Sequence, residues 1–329
     1  MRGPAAAVLA GLLASCSPPS ANLPAYGPAK IAATPLALNP KDPSQARVGQ
    51  LVYAGGVQLA APDAPRFKGL SGIDVATDGQ AFIAVTDFGD LIRGRLVLDT
   101  DGRLTGVAGV TIEPLIDEGG KPFGRKRKAD AEDVSFTDLR PGPAAGFAVS
   151  FEQNHRVLSY AKPGAPARML FKPVRMRLPN NGGIEGLAAR CNAQKARSLW
   201  VGFERGEISN RASLPASTRG VRNPRQPRGY QLSGLTNQSC GELFVLYRAY
   251  DPVRGFRAVI GRIDAKGGLA RLGGLSSPLT RGNMEGLAAV ERATPAGPVW
   301  RFYLVSDDGF DPQGRRTLLM AFDWVGPAK

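Results

Sequence analysis

Ile184-Glu185-Gly186-Leu187-Ala188 and Met284-Glu285-Gly286-Leu287-Ala288 are nearly the same five residues. Each is followed, after a turn, by an apolar run that ends on an acid: Ser198-Leu199-Trp200-Val201-Gly202-Phe203-Glu204 and Phe302-Tyr303-Leu304-Val305-Ser306-Asp307. Short runs of this kind, rich in β-branched and aromatic residues and bounded by Gly and Pro, read as strands. Three more copies emerge on looking outward. Gly69-Leu70-Ser71-Gly72-Ile73-Asp74-Val75 leads to Ala81 through Asp87, Ala131-Glu132-Asp133-Val134-Ser135-Phe136 leads to Gly146 through Glu152, and Gln231-Leu232-Ser233-Gly234-Leu235 leads to Leu243 through Arg248.

The positions Ser71, Glu132, Glu185, Ser233 and Glu285 are separated by 61, 53, 48 and 52 residues. A repeat of that length suits a four-stranded propeller blade, and radial stacking protects the sheet edges. The fold expected is all-β: a propeller of about five four-stranded blades, or six if the insert between Leu98 and Ala129 hides one. An ordinary β-sandwich is the competing fold. Third strands are expected at Leu91 to Leu98, Arg156 to Tyr160, Arg257 to Ile263 and Thr317 to Trp324, while unit three offers only a loop or irregular strand over Ser209 to Arg228. Gln50-Leu51-Val52-Tyr53 with Gly55 to Leu59 is placed to complete the last blade and close the ring.

Antiparallel pairing puts the start of a first strand and the end of a second at one sheet edge. Ser71, Glu132, Glu185, Ser233 and Glu285 should therefore share a face with Asp87, Glu152, Glu204, Arg248 and Asp307. Carboxylates gathered so closely repel unless protons or a cation compensate, and hard oxygen donors suit calcium or magnesium. The expected metal ligands are Asp87, Glu132, Glu185, Glu285 and Asp307. Unit four breaks the acidic ring with Ser233 and Arg248; the guanidinium could hold a phosphate or carboxylate, with Ser71 and Ser233 as further substrate contacts. Catalytic candidates are Glu132, Glu185, Glu285 and His155, the single histidine, which would serve in proton transfer or simply occupy a turn. The plain alternative for each acid is a loop cap or a pair with Arg93, Arg156, Arg205 or Arg281. Gly69 to Ile73 lacks the final glycine of a nucleophile elbow, and Cys-x-x-Cys, Walker and Rossmann patterns are absent.

The N-terminus reads as a leader. Met1-Arg2, the apolar stretch Ala5 to Ala14 and the lipobox-like Leu13-Ala14-Ser15-Cys16 predict a signal peptide over 1–15, too short to span a bilayer. A lipidated Cys16 and flexible tether over 16–47 and a propeller domain over 48–329 would follow. That organisation implies an exported chain, anchored to a membrane by lipid; in a Gram-negative cell Ser17 favours the outer membrane, facing the periplasm. Cys191 and Cys240 occupy equivalent turns of neighbouring units, and an oxidising compartment permits a disulfide between them, two free thiols being the alternative. The formal charge of +14, from 42 Lys and Arg against 28 Asp and Glu, points in an exported protein to anionic small molecules or lipid rather than nucleic acid.

Several motifs together resemble a known family, the bacterial phytase-like proteins described by the "esterase-like activity of phytase". They are Gly69-Leu70-Ser71-Gly72-Ile73, Asp130-Ala131-Glu132-Asp133-Val134, the two Glu-Gly-Leu-Ala motifs, and Leu304-Val305-Ser306-Asp307-Asp308-Gly309-Phe310 followed by Arg316-Thr317-Leu318-Leu319. The resemblance spans Phe67 to Trp324. It implies a propeller and a phosphoesterase or carboxylesterase activity without fixing a catalytic residue. The expected function is metal-dependent hydrolysis of phosphate or other esters. A lactonase or carboxylesterase, and a non-catalytic ligand-binding or envelope-assembly propeller with a structural ion, are the alternatives.

Overall fold

Hydrogen bonds knit each repeat into one antiparallel four-stranded sheet. The computed structural model describes residues 26–124, 126–137, 145–173, 178–191, 197–205, 208–212, 218–222, 225–237, 243–264, 266–294, 297–309 and 316–326, with backbone alone for 190–191, 197–198, 209–212 and 218–222. Blade one is Leu70–Val75, Ala81–Thr86, Asp90–Leu98 and Leu104–Pro114. Blade two is Ala131–Phe136, Phe147–Phe151, Arg156–Tyr160 and Arg168–Phe171. Blade three comprises Ile184–Cys191, Arg197–Phe203, Ile208–Ala212 and Thr218–Arg222, and blade four Gln231–Thr236, Leu243–Asp251, Gly255–Ile263 and Leu269–Leu275. Blade five takes three strands from the C-terminal end, Asn283–Thr294, Gly297–Asp307 and Thr317–Val325, and its fourth, Leu51–Ala60, from the N-terminal end.

The first strand of each blade is innermost, and the five pack on one another in cyclic order, the fifth returning to the first. These strands are buried on both faces, so their sequences show no regular apolar–polar alternation. Five hydrophobic clusters fill the five seams between blades. Phe244 and Phe302 meet between blades four and five, Ile73 and Tyr303 between five and one, and Val85 and Phe147 between one and two. Leu187 and Val157 lie between two and three, and Trp200 and Leu235 between three and four. With one core per seam and no gap in the ring, the molecule is a five-bladed β-propeller.

Two expectations need correction, and a third is settled between its alternatives. The insert between Leu98 and Ala129 hides no sixth blade; it supplies Leu104–Pro114, the outer strand of blade one, and a short helix, Lys126–Ala129. The stretch of blade three expected as a loop or irregular strand holds two strands, Ile208–Ala212, paired to Arg197–Phe203, and Thr218–Arg222, paired in turn to Ile208–Ala212, because backbone pairing overrides a polar sequence. Residues 26–47 are not a free tether. Gly27–Pro28 pairs with Thr111 and Ile112, Ala32–Pro35 with Val57 through Ala60, and Arg47–Val48 with Leu51 and Val52. These pairings cover strand edges that would otherwise be exposed. Residues 1–25, including Cys16, Cys240 and the side chain of Cys191 lie outside the described residues, and with them the expected lipid anchor and disulfide.

Candidate functional site

The repeated motif is a β-bulge. In blades one, three, four and five the pairing register slips by one residue at Ser71, Glu185, Ser233 and Glu285, each flanked by paired neighbours. Blade two slips at the same level, where Glu132 and Asp133 lie opposite Ser150. A bulge kinks the strand and re-aims its side chain, so each motif residue is released from the ladder at the start of an inner strand. The following glycine is needed for close approach: a Cβ on Gly72 would stand 2.6 Å from the Asp133 Cα, and one on Gly286 would stand 3.0 Å from the Gly72 Cα.

What each bulge residue does depends on its type. The Ser71 hydroxyl donates to the Ala131 carbonyl at 2.6 Å, and the Ser233 hydroxyl to the Met284 carbonyl at 3.0 Å. Both are buried, and both tie one blade to the residue just before the next blade's glutamate. Deeper in the channel, carboxylates do similar work. Asp74 accepts the Phe136 N–H at 2.8 Å, and Asp133 accepts Val134 and Leu187 N–H groups, each at 2.8 Å, linking blades one, two and three.

The glutamates face the mouth. Glu132, Glu185 and Glu285 gather with Asp87, Glu152, Glu204 and Asp307 from second-strand ends, as the antiparallel argument requires, and Arg248 stands among them. Arg248 Nε lies 2.8 Å from Glu285 Oε2, and its Nη1 is 3.4 Å from Asn283 Oδ1. Asn283 in turn donates to Glu285 at 2.5 Å and to Asp307 at 3.3 Å. The guanidinium expected to await a substrate is thus engaged with the ring. Of the arginines suspected from sequence, Arg93 pairs with Glu113, and Arg156 donates to the Lys128 and Asn154 carbonyls.

The tightest grouping is at blade two, where carboxylate oxygens of Asp130, Glu132 and Glu152 all lie within 4.8 Å of one another. Of the expected metal ligands only Glu132 belongs to it. Asp87, Glu185, Glu285 and Asp307 stand around the rest of the mouth. Asp130 and Glu152 were missed as ligands. Alternation along a strand puts Asp130 on the same side as Glu132, two residues on, and that was the available signal. Gln153 donates to Asp130, and the Gly182 N–H donates to Glu152. Lys126 approaches both Asp130, at 3.7 Å, and Asp87, at 3.9 Å.

Burial first, and charge crowding after it, act on the carboxyls of this mouth. Burial, and then the neighbouring acids led by Asp307, push Asp87 up to about 8 despite Lys126. Burial, partly offset by the Gly182 N–H, raises Glu152 to about 7. Burial outweighs the attraction of Arg248 and holds Glu285 at about 7. Glu132 and Glu185 are raised well above the usual carboxylate range, by burial first; Glu185 and Asp87 add to the effect at Glu132, and Arg248 opposes it at Glu185. Three oxygen donors at coordinating separation, lacking enough cationic charge to ionise together, are a fitting donor set for a hard divalent cation.

His155 follows the same turn, in which Gln153 takes a positive φ of 54°. Its Nε2–H donates to the Pro179 carbonyl at 2.8 Å, and Nδ1 is buried with no hydrogen-bond partner among the described residues. Burial lowers its pKa. The ring anchors the segment whose Gly182 N–H reaches Glu152.

The family model "Phytase-like: Esterase-like activity of phytase" matches residues 65–310, well over half of the chain. The chain belongs to the phytase-like family. No curated protein matches it. Among solved structures, the β-propeller domain of Cps50 (Swd1) from Myceliophteria thermophila is similar at 10% identity and a TM-score of 0.42, covering 88% of this chain and 99% of that one. U3-55K is similar at 11% identity and 0.40, covering 77% and 95%, and the RRP9 WD40 repeats at 10% and 0.40, covering 88% and 100%. Blade number in this phytase-like chain follows from its own strand pairing.

Proposed function

We propose that this phytase-like propeller is a metal-dependent hydrolase of phosphate esters that works at its carboxylate mouth. The observation that carries the reading is the trio Asp130, Glu132 and Glu152, with oxygens within 4.8 Å of one another. These carboxylates would hold calcium or magnesium. Such an ion, when bound, polarises a phosphoryl oxygen and makes bound water acidic. Around it, Glu285, held at about 7, can exchange a proton near neutrality, and burial raises Glu185 well above the usual carboxylate range. Protonation of Glu285 would loosen its hold on Arg248 and leave that guanidinium for the anionic ester. Export and anchoring through Cys16 belong to the same proposal and rest on the N-terminal sequence.

Aryl phosphate, bis-aryl phosphate, aryl acetate and lactone panels, each with calcium, magnesium or chelator, test this reading. Phosphatase turnover that chelator and Glu132→Gln both abolish supports it. A second reading, a ligand-binding propeller with a structural ion, is favoured by one observation. Ser71, Ser233, His155 and Arg248 are all engaged in holding the fold or the ring. Metal that raises the melting temperature without turnover on any panel would select it.

A further inference from the structure

A cleft of about 330 Å³ lies at the seam between blades four and five, away from the acidic trio of blade two. Its walls are Pro40, Phe256, Pro278 and Leu279, with Gly255 and Thr280, and two guanidiniums, Arg281 and Arg316, complete it. The strand ends place it on the mouth face. Arg281 precedes the inner strand Asn283–Thr294, Arg316 precedes Thr317–Val325, and Gly255 begins the third strand of blade four.

The cleft is built rather than incidental. The N-terminal segment is stitched to the loop before blade five by the Thr280 N–H to Leu38 carbonyl bond, 2.7 Å, and the Thr280 hydroxyl to Ala37 carbonyl bond, 2.6 Å. That seats Pro40 as one wall and occupies the threonine hydroxyl. The opposite wall is the blade-four hairpin, whose pairs Tyr250–Phe256 and Asp251–Gly255 extend past Gln231–Arg248, where the inner strand begins. Phe256 meets Tyr250, which is 62% exposed, with the rings tilted and their centroids 4.9 Å apart.

The polar groups left to a ligand are cationic. Arg281 makes one long bond, 3.3 Å, to the Leu279 carbonyl, and neither Arg281 nor Arg316 has a carboxylate partner among the described residues. A guanidinium carries five N–H donors in a planar fork suited to phosphate or carboxylate. Pyrrolidine, phenyl and leucyl surfaces around two such forks suit an apolar body with an anionic head, and the volume is that of a small-ligand pocket. We infer that this cleft is a binding site for a small aryl-bearing phosphate or carboxylate anion. The inference stands apart from the metal reading, because it uses none of the mouth carboxylates.

Amide chemical-shift titration of the full chain with phenyl phosphate, inorganic phosphate and phenol tests it. Saturable shifts at Phe256, Leu279 and Thr280 are expected, with phenyl phosphate binding about tenfold tighter than either fragment. The double variant Arg281→Gln/Arg316→Gln should weaken phenyl phosphate about tenfold or more. Its binding of calcium, followed by calorimetry, should be unchanged, which also reports that the variant is folded. Glu132→Gln should leave the cleft shifts intact, so loss of the metal site and loss of the cleft are separable. Equal affinity for inorganic phosphate, equal affinity in the double variant, or shifts confined to the residues around Arg248 would each overturn the assignment.

Discussion

Arg248 Nε and Glu285 Oε2 stand 2.8 Å apart, joining a guanidinium of blade four to a carboxylate from the neighbouring blade. Glu185 and Glu132 also feel that charge. Replacing Arg248 with Met leaves a buried carboxylate uncompensated, a change that costs about 3 kcal/mol where the acids are ionised. Urea unfolding of Arg248→Met should show that loss at pH of about 8. The loss should shrink toward pH of about 5, where the carboxyls take up protons. An equal loss at both pH values would mean that the pair contributes packing rather than charge.

Asp87 at about 8, and Glu152 and Glu285 at about 7, all lie above the value of about 4 that carboxyls have in an unfolded chain. The folded protein therefore binds more protons than the unfolded one between those limits. Its stability should be greatest below pH of about 4 as far as these groups decide, and should decline as pH rises to about 8. A cation at the trio competes with those protons. Calcium or magnesium should then restore the melting temperature at pH of about 8 more than at pH of about 5. Calorimetry in buffers of different ionisation enthalpy should detect protons released on binding.

The Ser71 and Ser233 hydroxyls satisfy carbonyls of Ala131 and Met284. Ser71→Ala and Ser233→Ala should each cost about 1–2 kcal/mol by leaving a buried carbonyl without its donor. Lying at different seams, the two losses should add in the double variant. Denaturant midpoints measure this. Metal affinity should be affected little, and a large loss of affinity would instead make these serines contacts for the bound group.

His155 donates from Nε2 to Pro179, which leaves Nδ1 as the unprotonated nitrogen. Nitrogen NMR of the ring should report that single tautomer. His155→Gln, which can keep a donor toward Pro179, should retain most metal affinity, whereas His155→Ala should lose about 1 kcal/mol of stability and weaken the site through Gly182. A pH profile of any turnover that loses its acidic limb in His155→Gln would assign the imidazole to proton transfer instead.

Much of this architecture was legible because the inner strands are buried on both faces. The bulge residues, their following glycines, the acids at second-strand ends and the closing strand Leu51–Ala60 all stood out by repetition. The outer strands of blade three did not. Ile208–Ala212 and Thr218–Arg222 carry Ser, Asn, Arg and Thr, and backbone pairing rather than apolar patterning defines them. Residues 26–47 read as a tether for the opposite reason. Their Ala, Pro and Lys content suggests disorder, and their order comes from covering the outer edge of distant strands. Repetition also concealed Asp130: it precedes the aligned motif, and of the equivalent positions Gly69, Gly183, Gln231 and Asn283 none is an acid.

The pairing of Leu51–Ala60 with Thr317–Val325 sets the order in which the molecule can be made. Leu51–Ala60, the earliest-synthesised strand of the blades, must wait for Thr317–Val325 before it can take its place in blade five, so the ring cannot close until that strand has been made. Contacts so distant along the chain are slow to form. A chain cut short before Thr317 would leave one edge of Leu51–Ala60 unpaired and blade five incomplete, which makes premature termination a direct route to aggregation.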